Sequence, residues 1–419
     1  MHDFEYRQGK LHCSEVSLEE IAEKEGTPFY CYSLSTLRRH IDAFEEPLSG
    51  VDHQTCFAMK ANANLAILSY MARRGLGADV VSGGDLYRAL KAGIPGEKIV
   101  YSGVGKTAEE IDMAIQAGIM MFNIESAQEL EVINERAGVL GKKAPVSIRV
   151  NPDVDPMTHP YISTGLKENK FGIDVEGSLA QYLKAKDMEH IEIAGIDCHI
   201  GSQLTDLSPF IDAAGRLRML IERLRKHGIA LKYLDLGGGL GITYSDEEPP
   251  HPRDYARAVL DAVGSLGLKL IFEPGRVIVG NAGILVTRVL YRKQTKSKTF
   301  IVVDAGMNDL IRPSLYGAYH DIRPVREKAG EREQADVVGP ICESGDFLAK
   351  DRDLPILVRD DLIAIMSAGA YGFTMASNYN SRPKPPEVLV DGVRYHVVLN
   401  RQTYEDLVTG ETVPEEILA

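Results

Sequence analysis

Lys60 ends the apolar run Cys56-Phe57-Ala58-Met59 and is followed by the small and polar residues Ala61-Asn62-Ala63-Asn64. The run reads as a buried strand, and Leu65, Ile67, Leu68 and Met71 recur at helical spacing, so the lysine stands where a strand empties into a helix. Two readings fit the stretch. Its stem can pack on the strand end while the ammonium reaches water. Alternatively a low-dielectric site disfavours the ammonium and frees a lone pair to attack a carbonyl. Other chemically capable residues recur along the chain. His199 lies in Cys198-His199-Ile200-Gly201-Ser202-Gln203, Gly237-Gly238-Gly239-Leu240-Gly241 is glycine-rich, and Glu273-Pro274-Gly275-Arg276 joins a carboxylate to a cation. Cys342-Glu343-Ser344-Gly345-Asp346 places a thiol beside two carboxylates. Singly, each has a plain structural reading: a core histidine, a tight turn, a polar turn or an inert thiol.

Those residues need elements to position them. From about residue 50 to 280 short apolar runs alternate with longer amphipathic ones, the pattern of repeated β-α units. The runs are Gln54–Met59, Ala78–Val81, Ile99–Tyr101, Met120–Ile124, Val146–Val150, Ile193–Cys198, Tyr233–Leu236 and Leu268–Phe272. Between them lie helices such as Thr107–Ala117, Ser126–Ala137 and Pro209–His227, with Thr, Ser or Ser-Pro starts and ends that run into Gly118, Gly138 and Gly228. Eight such units predict a (β/α)8 TIM-like barrel. On a barrel, chemistry sits at the carboxyl ends of the strands. In chain order those ends carry Lys60, Asp79, Ser102, Glu125, Arg149 with Asn151, His199, Gly237–Gly239 and Glu273. Phosphate sites on this fold usually lie after strands seven and eight, where Gly237–Gly241 and Glu273–Arg276 fall. The glycines do not follow GxGxxG and sit at the seventh strand, which argues against a dinucleotide fold.

After residue 282 the pattern turns to short strands: Ile284–Tyr291, Thr299–Val303, Val337–Gly339, Asp361–Met366, Glu387–Val390 and Val393–Val398. Phe4–Val16 also alternates and is expected to pair with this C-terminal all-β domain. The predicted division is a barrel over 34–281 and a β domain from 1–33 with 282–419.

Composition narrows the class of function. A formal net charge of -13 argues against nucleic-acid and anionic-membrane partners. The first thirty residues are charged throughout, no apolar stretch is long enough to span a bilayer, and a cytoplasmic location is expected. The 5 cysteines are scattered without CxxC spacing and are expected as free thiols, while the 11 histidines lack metal-ligand spacing, so no metal site is predicted.

In order and spacing, Phe57–Asn64, His199–Gln203, Gly237–Gly241, Glu273–Arg276, Arg312-Pro313-Ser314-Leu315-Tyr316, Gly339–Asp346 and Ala370-Tyr371-Gly372 resemble the fold-type III pyridoxal-phosphate decarboxylases. The resemblance covers nearly the whole chain. It implies an alanine racemase/ornithine decarboxylase-like architecture, pyridoxal 5'-phosphate as cofactor, and a homodimer whose active sites are shared across the interface. It further implies that Lys60 holds the cofactor covalently, with Asp79 and Arg149 close by. His199 stacks on the ring, Glu273 pairs with the ring nitrogen, and Ser202, Gly238, Gly239, Gly275, Arg276 and Tyr371 bind the phosphate or its surroundings. A carboxylate opposite that nitrogen suits decarboxylation, whereas the alanine racemases set an arginine there. Cys342 resembles the family's proton donor. Arg276 and Arg312 suit a distal carboxylate, Glu343 an ammonium, and Tyr316 and Tyr371 complete the substrate pocket. The substrate so implied is a small amino acid with a second amino-acid end, meso-2,6-diaminopimelate, giving L-lysine and carbon dioxide in the last step of lysine biosynthesis. The alternatives are decarboxylation of lysine, ornithine or arginine, or a non-catalytic homologue.

Overall fold

A computed structural model describes residues 2–154 and 170–418, so most of the 151–174 connection lies outside the described residues. Two compact units form: Arg38–Gly280, and Met1–Leu37 together with Asn281–Ala419.

The first unit is a closed parallel barrel. Its strands are β1 (His53–Ala58), β2 (Gly77–Val80), β3 (Ile99–Tyr101), β4 (Met121–Ile124), β5 (Ala144–Asn151), β6 (Ile191–Asp197), β7 (Tyr233–Asp235) and β8 (Lys269–Phe272). Each pairs in parallel with the next, and β8 pairs with β1, so no barrel strand is left as an edge. Every strand begins and ends within two residues of its apolar run, because burial on both faces makes these strands continuously hydrophobic. The helices that follow these strands are α1 (Leu65–Arg73), α2 (Gly83–Lys91), α3 (Ala108–Ala117), α4 (Ala127–Val139), α5 (Val175–Lys186), α6 (Ser208–Lys226), α7 (Pro252–Val263) and the short α8 (Arg276–Val279). In α3 the spacing of Ile111, Ala114 and Ile115 buries one face, and Thr107 with Glu110 closes a reciprocal cap at its start. Gly118 ends α3 in the left-handed conformation that glycine adopts without penalty. The expectation for α4 was wrong at its end: the helix continues through Gly138 to Val139. Helical φ/ψ is open to glycine, and the ring of His190 occupies the space its missing Cβ leaves, 2.6 Å from where a Cβ would stand.

The second unit is built on a mixed sheet. Its path runs Phe347–Pro355, Arg332–Val338, Thr299–Val303, Gly283–Gln294, Phe29–Ser33, Glu387–Asp391 and Arg394–Leu399, with Leu362–Ile365 and Ile322–Pro324 attached beside Gly283–Gln294. Phe29–Ser33 and Phe347–Pro355 were not read as strands from the sequence. The first is buried along its length, so its alternation signal is lost. Phe4–Arg7, Lys10–Cys13 and Val16–Ser17 make a separate three-stranded sheet. It is tied to the same unit where the Leu11 N–H donates to the Val325 carbonyl at 2.7 Å. Phe4, Leu11, Leu18, Ile21, Phe29, Ile284, Val286 and Val388 share its core; each large apolar side chain removed from water contributes about 1.5–3 kcal/mol. All five cysteines are free thiols, Cys342 alone exposed. Among the described residues no helix is long and apolar enough to cross a membrane.

Candidate active site

The carboxyl ends of the barrel strands bring together the residues that their positions predicted. Lys60 follows β1 in a single tight turn, and its Nζ donates to Asp79 Oδ2 at 2.6 Å. Asp79 is fully buried on β2, and its Oδ1 has no partner among the described residues. The amine is thus held against a buried carboxylate at the rim of the barrel.

His199 stands after β6, directly against the glycine cluster. The Gly238 N–H donates to His199 Nδ1 at 3.1 Å, which leaves the ring proton on Nε2. Burial first, and then the nearby Arg149 and Lys60 cations, push the imidazole well below its usual range, so it is neutral. A neutral, oriented ring suits contact with a flat heterocycle. The loops after β6 and β7 zip together: Leu204 N–H donates to the Gly239 carbonyl and Gly241 N–H to the Leu204 carbonyl, both at 2.9 Å. Gln203 adds a two-pronged clamp on the backbone of Ile242. The close approach explains the glycines. A Cβ on Gly238 would lie 2.2 Å from the Glu273 carbonyl oxygen, and Gly239, at φ +119, would set one 2.7 Å from that of Gly201.

Beyond Gly275, Arg276 opens α8, and its guanidinium donates to Ser202 Oγ at 2.9 Å and to Tyr244 Oη at 2.6 Å. These groups make a cationic, hydrogen-bonding pole beside the glycine loops. Tyr244 was not anticipated, since nothing in its local sequence distinguishes it from a packing tyrosine.

Inside the rim lies a charged row set by strand register. Arg149 on β5 is level with Asp197 on β6, which is level with Asp235 on β7. Arg149 donates to Glu125 Oε1 at 2.8 Å, comes within 3.9 Å of Asp197, and stacks on Phe171 with 4.9 Å to the ring centre. Glu125 also accepts the Gly172 N–H at 2.7 Å. Asn123 on β4 sends its amide to Ser102 Oγ and Asp235 Oδ2, both at 3.2 Å, and to Glu273 Oε1 at 3.4 Å. Glu273 is pushed well above the usual carboxylate range by burial and then by Asp235 and Asp79, with Lys60 opposing. Asp197, Asp235 and Asn123 were also missed. Each is a lone polar residue in an apolar run, a weak signal visible only once strand ends are inspected individually.

The second unit holds the remaining predicted residues. Arg312 begins a short helix, Arg312–Tyr316, and donates to His320 Nε2 at 2.8 Å, while His320 Nδ1–H donates to the Met366 carbonyl at 2.8 Å. Ser314 Oγ donates to the Gly345 carbonyl at 2.6 Å, fixing this helix to the Cys342 turn. Asp346 organises that turn by accepting Met307 N–H and Ile341 N–H, each at 2.7 Å, and the Asn380 side chain accepts the Cys342 N–H at 2.7 Å. Cys342 and Glu343 are exposed. Tyr371 lies at φ 56, a left-handed conformation uncommon for an aromatic residue.

The rim residues fit pyridoxal phosphate. There is an amine to hold the aldehyde, a cationic pole with close backbone for the phosphate, a neutral imidazole, and a buried carboxyl for the ring nitrogen. Asp79 Oδ1 supplies a further buried acceptor without a partner among the described residues.

Comparison with known proteins agrees. A family model for the pyridoxal-binding domain of pyridoxal-dependent decarboxylases matches residues 34–280. The chain is 53% identical over 413 residues to diaminopimelate decarboxylase of Pseudomonas aeruginosa, covering 99% of each. It is 51% identical to that of Vibrio cholerae, covering 99% of this chain and 100% of the relative. Among solved structures, diaminopimelate decarboxylase of Helicobacter pylori in complex with L-lysine matches with TM-score 0.90 at 46% identity, covering 93% of this chain and 98% of that one. The M. jannaschii enzyme with L-lysine matches with TM-score 0.93 at 41% identity, covering 99% and 100%. Together, the barrel rim and these matches place the chain in the pyridoxal-dependent decarboxylase family, among its diaminopimelate decarboxylases.

Proposed function

We propose that this chain decarboxylates meso-2,6-diaminopimelate to L-lysine with pyridoxal 5'-phosphate. The observation that carries the reading is the presence, on one barrel rim, of the Lys60 amine bonded to Asp79 and of the buried carboxyl of Glu273, in a chain 53% identical to a diaminopimelate decarboxylase along 99% of its length. The cofactor, when bound, supplies an electron sink for the pair released with carbon dioxide. Glu273 holds a proton at the ring nitrogen, which keeps that sink open. Asp79 orients the Lys60 amine, and Arg276, Ser202, Gly238, Gly239, Gly275 and Tyr371 hold the phosphate end. His199 covers the ring face, excluding water, and Arg149 fixes the charged row below it.

Residues 34–281 are the cofactor-binding domain in this reading, and 1–33 with 282–419 contribute the substrate and proton-donating groups. Arg276 and Arg312 bind the distal carboxylate of the substrate, Glu343 its ammonium, and Tyr316 and Tyr371 line the pocket. Cys342, supplied across a homodimer interface, gives the proton that replaces carbon dioxide at the α-carbon. A thiol is an acid of suitable strength for that step. The assembly is a cytoplasmic homodimer acting on a small amino acid.

Carbon dioxide release from a panel of meso-diaminopimelate, lysine, ornithine and arginine tests the assignment. Turnover of meso-diaminopimelate alone is expected; turnover of lysine or ornithine with diaminopimelate untouched would overturn it. Lys60→Ala should abolish the visible absorption that pyridoxal phosphate acquires on binding the wild type.

A further inference from the structure

Arg312 and His320 are held side by side in the second unit, both buried, at 7% and 0% exposure. The short helix Arg312–Tyr316 ends at Gly317, whose left-handed turn, at φ 61, brings the chain back so that His320 faces the guanidinium. Arginine carries donors only, so the 2.8 Å contact between its terminal nitrogen and His320 Nε2 makes that ring nitrogen an acceptor. The ring proton is therefore on Nδ1, which donates it to the Met366 carbonyl at 2.8 Å. The Met366 N–H donates in turn to the Asp321 carbonyl at 2.8 Å, so consecutive residues grip both backbone polar groups of Met366. The strand pairing that places Ile322 opposite Ile365 continues the grip. Turning the imidazole breaks a hydrogen bond that water cannot replace in so buried a setting.

We infer that His320 is a positioning residue that aims the Arg312 guanidinium at the distal carboxylate of the substrate, and so sets affinity for that end of the molecule. This role rests on the assignment of Arg312 in the proposed function. An arginine side chain is long and rotamer-rich, and a carboxylate accepts it best in one planar, two-pronged geometry. Fixing one terminal nitrogen removes orientational freedom before the substrate arrives. The kind of acceptor matters as well. A carboxylate in place of His320 would pair with the guanidinium and compete with the substrate's own carboxylate, whereas a neutral imidazole holds the same nitrogen and adds no negative charge. Met366 also begins the segment that runs through Ser367, at φ 55, to Tyr371, at φ 56, the tyrosine assigned to the same pocket.

The test is steady-state kinetics of the holoenzyme on meso-diaminopimelate, with pyridoxal-phosphate affinity measured by fluorescence titration. His320→Phe keeps a ring in the space and removes both hydrogen bonds. The distal end interacts alike before and during the reaction, so KM should rise by about 10- to 100-fold while kcat and cofactor affinity stay within about threefold. The same substitution made in Arg312→Met should lower kcat/KM by no more than about threefold, since the group through which His320 acts is already gone. His320→Gln, whose amide oxygen can reach Arg312, should recover most of the substrate affinity; His320→Asn, whose shorter amide reaches Met366 alone, should not. An unchanged KM in His320→Phe, a joint loss of substrate affinity, kcat and cofactor affinity, or an equal loss in the Arg312→Met background refutes the positioning role. If His320→Phe does not fold, the order of His320→Gln and His320→Asn decides, and the reverse order overturns the inference. A wild type that leaves meso-diaminopimelate untouched overturns the proposed function instead; the hydrogen bond is then read from nitrogen NMR spectra of the histidine-labelled full-length protein. There a neutral ring protonated at Nδ1, with an Nε2 resonance that moves in Arg312→Met, is expected, and a ring protonated at Nε2 overturns the inference.

Discussion

Arg149→Met removes the only cation that contacts Glu125 and Asp197 among the described residues, and the consequence can be worked through from the buried row. Arg149 is 7% exposed, Glu125 7% and Asp197 1%, so neither carboxylate can recover its lost partner from solvent. Methionine fills most of the volume, which isolates the charge effect from a cavity. Removing one member of a buried pair costs about 3–5 kcal/mol, because the remaining charge stays desolvated. For a domain of this size each kcal/mol moves the melting temperature by roughly 2–4 °C, so a fall of roughly 6–20 °C is expected. The pH dependence gives a sharper check. Asp197 is already pushed well above the usual range by burial and by Glu273, and Arg149 is the cation that holds it down. Without Arg149 its folded value climbs further, so stability present below the unfolded value near 4 is lost over a wider range as pH rises. The deficit of the variant should therefore grow from pH 5 to pH 8. Differential scanning calorimetry across that range measures it. A deficit below about 1 kcal/mol, or one independent of pH, would refute the view that Arg149 acts as the counter-charge of the row.

Gly238→Ala places a Cβ 2.2 Å from a carbonyl oxygen whose own N–H is bonded to Gly237 at 2.8 Å, so neither strand end can retreat alone. We expect a loss of about 1–3 kcal/mol in stability and at least tenfold weaker pyridoxal-phosphate binding by fluorescence titration; wild-type binding would show that the loop has slack. The side chain of Lys106 is wholly buried and donates to the Gly103 and Asn123 carbonyls and to Glu129. Lys106→Met should cost about 3–5 kcal/mol by denaturant unfolding, and adding Glu129→Leu should restore part of it, since the stranded carboxylate is then gone. Cys342→Ala should lower kcat by about 10²–10⁴ with little change in KM, as expected for a proton donor acting in the transition state; equal losses in binding and turnover would reduce the thiol to packing.

The sequence by itself determined the barrel and most of its rim. Strands buried on both faces must be continuously apolar, and the residue that follows each run is carried to the same end of the barrel whatever the helices between do. Lys60, Asp79, His199 and Glu273 were therefore legible from position alone. Phe29–Ser33 was not, because a short, fully buried strand without alternation has no periodic signature of its own. The end of α4 was misread because a glycine does not by itself stop a helix: Gly118 turns left-handed and ends α3, whereas Gly138 stays within α4. What only the tertiary structure decided is which polar groups meet and which share a counter-charge. Asn123 and Asp235 come from β4 and β7 and Glu273 follows β8, and closure of the barrel brings the Asn123 amide within 3.2 Å of Asp235 and 3.4 Å of Glu273. In a medium that screens charge weakly, that proximity fixes their protonation, a property of the assembled interior that no single stretch of the chain possesses.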